Sequence, residues 1–165
     1  VLAKRRSFLR AFQAQLREGT VIKHYLALVA GAWQGGKQTV RAPLRKNLLR
    51  GGERMVTVDE TGKAAVSVFS PVSTFADATL VDVELKTGRT HQIRVHGTHI
   101  GHPLAGDGKY GDENFNNEMK SHGLRRLFLH AHLLEFMDSA GDDMITVSAP
   151  LDDDLKAVID RLEAR

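Results

Sequence analysis

The cationic side chains best placed for chemistry lie in one stretch, Lys86 to His96, which reads K-T-G-R-T-H-Q-I-R-V-H. A guanidinium can grip a carboxylate or phosphate with two parallel N–H bonds, and a helix N-terminus adds a favourable field for the same anion. The spacing predicts such a terminus here. Gly88 permits a sharp turn, Thr90 is a candidate cap, and Ile93, His96 and Ile100 recur at helical spacing toward a core. Arg94 lies off that seam, on the side of His91 and Thr98, so an anion site centred on Arg94 is expected.

Two further groups carry chemistry. Tyr25 stands in V-I-K-H-Y-L-A-L-V (Val21 to Val29), a run of β-formers whose odd positions put Lys23 and Tyr25 on one face. A plain sheet-edge tyrosine beside a solvated lysine is the alternative reading. Arg41, Arg45, Lys46, Arg50 and Arg54 follow within a short span broken by Gly51-Gly52, with Glu53 the sole acid among them. A mobile loop with spaced cations suits phosphate contacts along a nucleic-acid backbone, and a merely solvated loop is its alternative.

Other chemistries find less support. His96, His99 and His102 recur every third residue, but a glycine-histidine-proline break separates the last from the others, and His130 and His132 alternate on a strand. Zinc sites require three or four convergent ligands, so no metal is expected. No glycine-flanked serine elbow is present, and Gly101 to Gly111 (G-H-P-L-A-G-D-G-K-Y-G) lacks the spacing of either common phosphate-binding loop.

The elements that must hold these groups follow from periodicity. A helix begins at Ser7, a candidate cap, with Leu9, Phe12 and Leu16 as its seam and Gly19 as its stop. Thr39 to Ala42 is a short strand. Met55 to Val58 and Ala64 to Phe69 are expected to form a hairpin around Asp59 to Lys63, and Thr79 to Leu85 a half-buried strand. Gly101 to Gly111 is a shaped loop, Asp112 to Gly123 a polar surface segment with helical character. Leu127 to Phe136 reads as a mostly buried strand that turns back into Met144 to Ser148. Asp152 to Asp154 head a helix with Leu155, Val158, Ile159 and Leu162 on one face.

The whole is 165 residues, one domain's worth, long enough for a hydrophobic core. No apolar run reaches the length of a membrane span, so no membrane partner is expected. The absence of cysteine excludes a disulfide framework and fits a cytoplasmic protein. The net charge is only +3, but the basic residues concentrate in the first third and the acidic clusters near the C-terminus. That asymmetry favours a polyanion partner.

Four ordered motifs carry a resemblance. K-H-Y-L-A-L-V (Lys23 to Val29), T-G-R-T-H-Q-I-R-V-H (Thr87 to His96), G-H-P-L-A-G-D-G-K-Y-G and L-F-L-H-A-H-L-L-E-F (Leu127 to Phe136) together resemble the RluA-type pseudouridine synthases. The segment Ala42 to Met55 is most similar to the branch acting on large-subunit ribosomal RNA. The resemblance implies an α+β fold, a mostly antiparallel mixed sheet with flanking helices and loops lining a cleft. It implies isomerisation of uridine in RNA, without metal or organic cofactor. Tyr25 would stack on the base and remove its carbon-5 proton, Arg94 would pair with the family's nucleophilic aspartate, and Leu129 and Ile93 would wall the pocket. Arg41, Arg45, Lys46, Arg50, Arg54, Arg89 and His91 become candidate RNA contacts. The family's histidine-arginine-leucine-aspartate motif does not occur in this sequence, and no aspartate present, Asp82 and Asp107 included, stands in that setting. Residues 1–165 are therefore expected to be the C-terminal part of a catalytic domain, inactive alone, with the nucleophile upstream of Val1. A non-catalytic RNA-binding module on the same scaffold is the alternative.

Overall fold

The computed structural model describes residues 2–48, 54–138 and 143–164. Its centre is a six-stranded sheet in the order β2-β5-β6-β1-β7-β8, every pairing antiparallel. The strands are β1 (Ile22–Ala30), β2 (Gln38–Arg41), β5 (Val66–Thr74), β6 (Ala78–Leu85), β7 (Leu129–Met137) and β8 (Met144–Ser148). A separate two-stranded ribbon pairs β3 (Leu44–Leu48) with β4 (Arg54–Val58). The α+β architecture expected from the sequence is the one observed.

Strand alternation divides the core between the two faces of the sheet. On one face Ala27, Val29, Val81, Val83 and Phe69 meet Trp33, Ile93 and Leu104. On the other, Leu28, Ala78 and Leu80 meet α3 (Glu113–Ser121) and α4 (Asp153–Glu163) through Phe115, Met119, Leu155, Val158 and Leu162. The α4 seam is the one read from its sequence. Helix α3 buries Phe115 and Met119, and its cap is Asp112, whose carboxylate accepts the Phe115 N–H. The first helix, α1 (Arg6–Glu18), is capped at its C-terminus by Gly19 in the left-handed region, as expected. Ser7 lies inside it, and no side chain caps its start.

Two expectations fail here. Met55 to Val58 pairs with the basic segment before it, while Ala64 to Phe69 leads into β5, which joins β2 and β6. The 59–63 turn exists, closed by Asp59 accepting from Thr61, but it connects the ribbon to the main sheet. Arg45 and Lys46 therefore stand on a strand and not in a mobile loop, because Leu44 and Val56 bury on the inner side of the ribbon. Arg50 lies outside the described residues.

Candidate active site

Strand β6 delivers the chain into the turn preceding α2 (Gln92–His99). Gly88 does not adopt a left-handed conformation; His91 does, at φ 54, and serves as the N-cap without a side-chain bond. Thr90 is not the cap. The turn is instead organised by buried Gln92. Its Oε1 accepts from the Arg89 N–H at 3.0 Å and the Thr87 hydroxyl at 2.7 Å, while its Nε2 donates to Val66 O and Ser67 Oγ. Ile93 and His96 face the core as the spacing predicts. His96 donates from Nε2 to Ala42 O and accepts at Nδ1 from Ser67 Oγ, both at 2.9 Å.

The anion held by Arg94 is Asp107, from the glycine-rich loop. Nε reaches Oδ2 and Nη2 reaches Oδ1, each at 2.7 Å, a bidentate pair. Oδ1 also accepts the backbone N–H groups of Lys109 and Tyr110, at 2.9 and 3.0 Å. Burial alone would raise the Asp107 carboxyl, but the Arg94 bonds and these two N–H groups hold it below the ordinary range, while the Asp107 bonds raise Arg94. Sequence reasoning gave Arg94 a carboxylate from outside these residues and so missed a partner thirteen positions on. A signal was present in Gly106, at φ +74, and Gly111, which bend the loop so that Asp107 turns back; Asn116 of α3 then fixes the loop through Gly106 N and Asp107 O.

Tyr110 completes this assembly. Its ring lies under the guanidinium, with Arg94 Cζ 4.8 Å from the centroid, and its hydroxyl sits 3.0 Å from both Val56 N and His91 Nδ1. The ring of His91, a candidate RNA contact from the sequence, is engaged with Tyr110. Burial holds His91 below its usual pKa, with Arg94 and Lys109 adding to the effect.

Tyr25 is half-buried on β1, opposite Val83 of β6 and Ala131 of β7, and packs against the cluster containing Ile93, with Leu129 beside it. The structure thus gathers Tyr25, Leu129 and Ile93 on the face that α2 covers. Ile93, only 4% exposed, is core behind the site, not an open wall. Lys23 shares that face. Its amine lies 3.8 Å from the point where a Cβ on Gly88 would sit, and burial lowers its pKa.

A cleft of about 650 Å³ opens between the β3–β4 ribbon and the β6–α2 turn, lined by Arg45, Lys46, Lys63, Arg89 and Thr90 among others. Lys63 was missed as a cleft cation because the turn looked structural. Arg45 leans on Asp59 and Thr61 at 3.5 and 3.4 Å, and Arg89 donates to Ala64 O. Arg41 is exposed on β2, apart from the cleft lining, and Arg54 begins β4.

The histidines group differently from their spacing in sequence. His102 bonds Ala30 O at 2.7 Å and stacks on Trp33. A bulge in the β1–β7 pairing frees His132 to meet His24 across Asp82, with both imidazole–carboxylate distances 2.6 Å. These three offer ligand atoms within 4.8 Å of one another, on the face of β1 opposite Tyr25.

Comparison with known proteins bears on this geometry. Residues 1–99 match the family model described as RNA pseudouridylate synthase. The ribosomal large subunit pseudouridine synthase C of Haemophilus ducreyi is 48% identical over 99% of this chain and 51% of its own length. That of Escherichia coli K12 is 45% identical over 98% of this chain and 51% of its own. The chain thus spans about half the length of the curated relatives it matches. Among solved structures, human RNA pseudouridylate synthase domain containing 1 superposes with TM-score 0.78 at 24% identity, covering 99% of this chain and 74% of that one. The second human protein, domain containing 4, gives 0.77 at 21%, covering 96% and 69%; at such identities the two structures speak for the fold. On the family match and the curated relatives, the chain belongs to the RNA pseudouridylate synthase family.

Proposed function

We propose that the protein containing this chain isomerises specific uridines to pseudouridine in large-subunit ribosomal RNA, in the cytoplasm. The observation that carries the reading is the convergence of Tyr25, Leu129 and the Arg94 helix on one face of the sheet, beside a cleft lined with cations. A uridine lifted from its RNA context would enter against Tyr25 and Leu129 while the ribbon and Arg89 hold phosphates. The reaction needs a carboxylate nucleophile at the sugar, departure and rotation of the uracil, reattachment through carbon 5, and loss of the carbon-5 proton. Tyr25 is the group assigned to that last step.

Asp107 is a poor candidate for the nucleophile. Both its oxygens are committed to Arg94, and Oδ1 to two N–H groups besides. We assign the nucleophile to residues outside this chain, which makes 1–165 one part of a catalytic domain. Arg94, held at Nε and Nη2, would complete its role by lending its field to that second carboxylate. No metal or organic cofactor is assigned a step.

The test is incubation of the complete protein with unmodified ribosomal RNA, followed by carbodiimide mapping of pseudouridine. Conversion at defined positions supports the reading, and RNA binding without conversion would replace it with a non-catalytic RNA-binding module. In the complete enzyme, Tyr25→Phe should bind RNA and stall before product release; full turnover by that variant would remove Tyr25 from the proton-transfer role.

A further inference from the structure

We propose that Tyr110 is a positioning residue that couples the basic β3–β4 ribbon to Arg94, so that RNA seated on the ribbon sets the guanidinium's orientation. This rests on the proposed function above for what occupies the ribbon. The connection is continuous. Lys46 stands directly across the β3–β4 ladder from Val56. Val56 gives its backbone N–H to the Tyr110 hydroxyl at 3.0 Å. The ring of Tyr110 lies beneath Arg94, and its own backbone N–H goes to the carboxylate that Arg94 grips. Its carbonyl accepts from Thr98 Oγ1 at 2.7 Å, on the helix that carries Arg94.

A tyrosine kept only for core packing needs one partner for its hydroxyl. Here the oxygen takes two, one on the ribbon and one on the left-handed cap of α2. A phenol has a single proton. The oxygen accepts from Val56 N–H, and a second hydrogen bond, between it and His91 Nδ1 at 3.0 Å, ties it to the cap. Lys46 also contributes to the field felt by His91, which places the ribbon's charge within reach of the cap. Any shift of the ribbon on taking up phosphate therefore moves Tyr110, whose hydroxyl meets the His91 cap, whose ring lies against the guanidinium and whose backbone N–H holds the Asp107 carboxylate.

The test uses the complete protein carrying Tyr110→Phe, Lys46→Ala or both, and a ribosomal RNA fragment. Tyr110→Phe keeps the ring under Arg94 and removes only the bonds of the hydroxyl. It should leave the dissociation constant for RNA within about twofold of wild type and lower the single-turnover rate at saturating RNA about tenfold, the scale of one net hydrogen bond. Lys46→Ala should weaken binding and slow the rate; in the Tyr110→Phe background it should still weaken binding but no longer slow the rate. Rate losses that simply multiply would overturn the coupling. A second measurement does not depend on catalysis. RNA should shift the Arg94 Nε–H resonance in wild type and leave it unmoved in Tyr110→Phe, although both bind. An equal shift in the two proteins would overturn the proposal. A wild-type protein that converts no uridine would reject the functional reading instead, with the resonance experiment still deciding the coupling.

Discussion

Among the described residues, two arginines grip an aspartate through both Nε and Nη2, alike in contact geometry and unlike in surroundings. Arg94 grips Asp107 through Nε and Nη2 at 2.7 Å each; Arg126 grips Asp154 through the same atoms at 2.7 and 2.9 Å and adds Asp152 at 2.6 Å. The side chains of the first pair are 17% and 1% exposed, those of Arg126 and Asp154 41% and 57%. By the bonds the arginine itself makes, the second clamp is the richer. By burial the first is the one whose loss leaves a charge with nowhere to go, since Asp107 is cut off from water. Arg126 steadies the acidic start of α4, where the helix dipole and solvent already accommodate those carboxylates. Bond lengths therefore do not rank the two; desolvation does.

The widest expected separation is in stability. Arg94→Ala should cost about 3–5 kcal/mol in urea unfolding, the range for stripping one partner from a buried pair. Arg126→Ala should leave the midpoint close to wild type. Equal losses would mean that burial is not what distinguishes the clamps. Gly106 offers a way to strike the buried clamp without touching its charges. A Cβ there would lie 2.2 Å from the Arg126 carbonyl oxygen at a φ of +74, whereas Gly101, at φ +80, has open space around it. Gly106→Ala should therefore destabilise by clearly more than Gly101→Ala, for which only the left-handed strain of about 1 kcal/mol applies.

The same contrast explains what could be read from the sequence. Periodicity exposed the α4 seam of Leu155, Val158, Ile159 and Leu162, the glycine stop of α1, and the strand that presents Tyr25, since each is a pattern within one element. Arg94 was legible by its side-chain type and its place on α2. Its partner was not, because Asp107 reaches it through a loop whose course is set by Gly106, Gly111 and the amide of Asn116. The basic run was read as a loop for a related reason. Lys46 falls where alternation calls for an apolar residue, and β4 could have paired with either neighbour. Only the burial of Leu44 and Val56 against Ala65 and Val95 selects the ribbon. The left-handed His91 left no signal in composition, because glycine is the residue that usually marks such a turn.

Acid should act through buried groups first. His96, wholly buried, is held below its ordinary pKa by burial, with nearby His99 adding to this and the Ala42 carbonyl bond opposing it; His91 is lowered as well. The unfolded chain takes up these protons near pH 6.5 while the folded one resists, so stability rises with pH across the window below about 6.5 and is complete above it. On acidification it is lost progressively until the folded values are passed. A His96→Gln variant, compared at pH 7 and pH 5.5, should show a flatter dependence than wild type, and an unchanged slope would remove His96 from the account. Asp107 enters lower. Its contribution is present above the ordinary aspartate value of about 3.9 and is lost as pH falls through its depressed native value.

The smallest effect is the one that sharpens the comparison most. Exposed ion pairs are screened over a Debye length of about 8 Å at physiological ionic strength, and less separation suffices in stronger salt. The Arg126 cluster stands in solvent, so whatever it contributes should fade as sodium chloride rises, and Arg126→Ala should become indistinguishable from wild type in 1 M salt. Asp107, by contrast, is shut off from solvent behind Arg94 and two backbone amides, where mobile ions do not reach. The gap between wild type and Arg94→Ala should therefore survive in the same buffer. If salt closed both gaps equally, the two clamps would be sharing one dielectric environment, and the buried character argued for Asp107 would have to be given up.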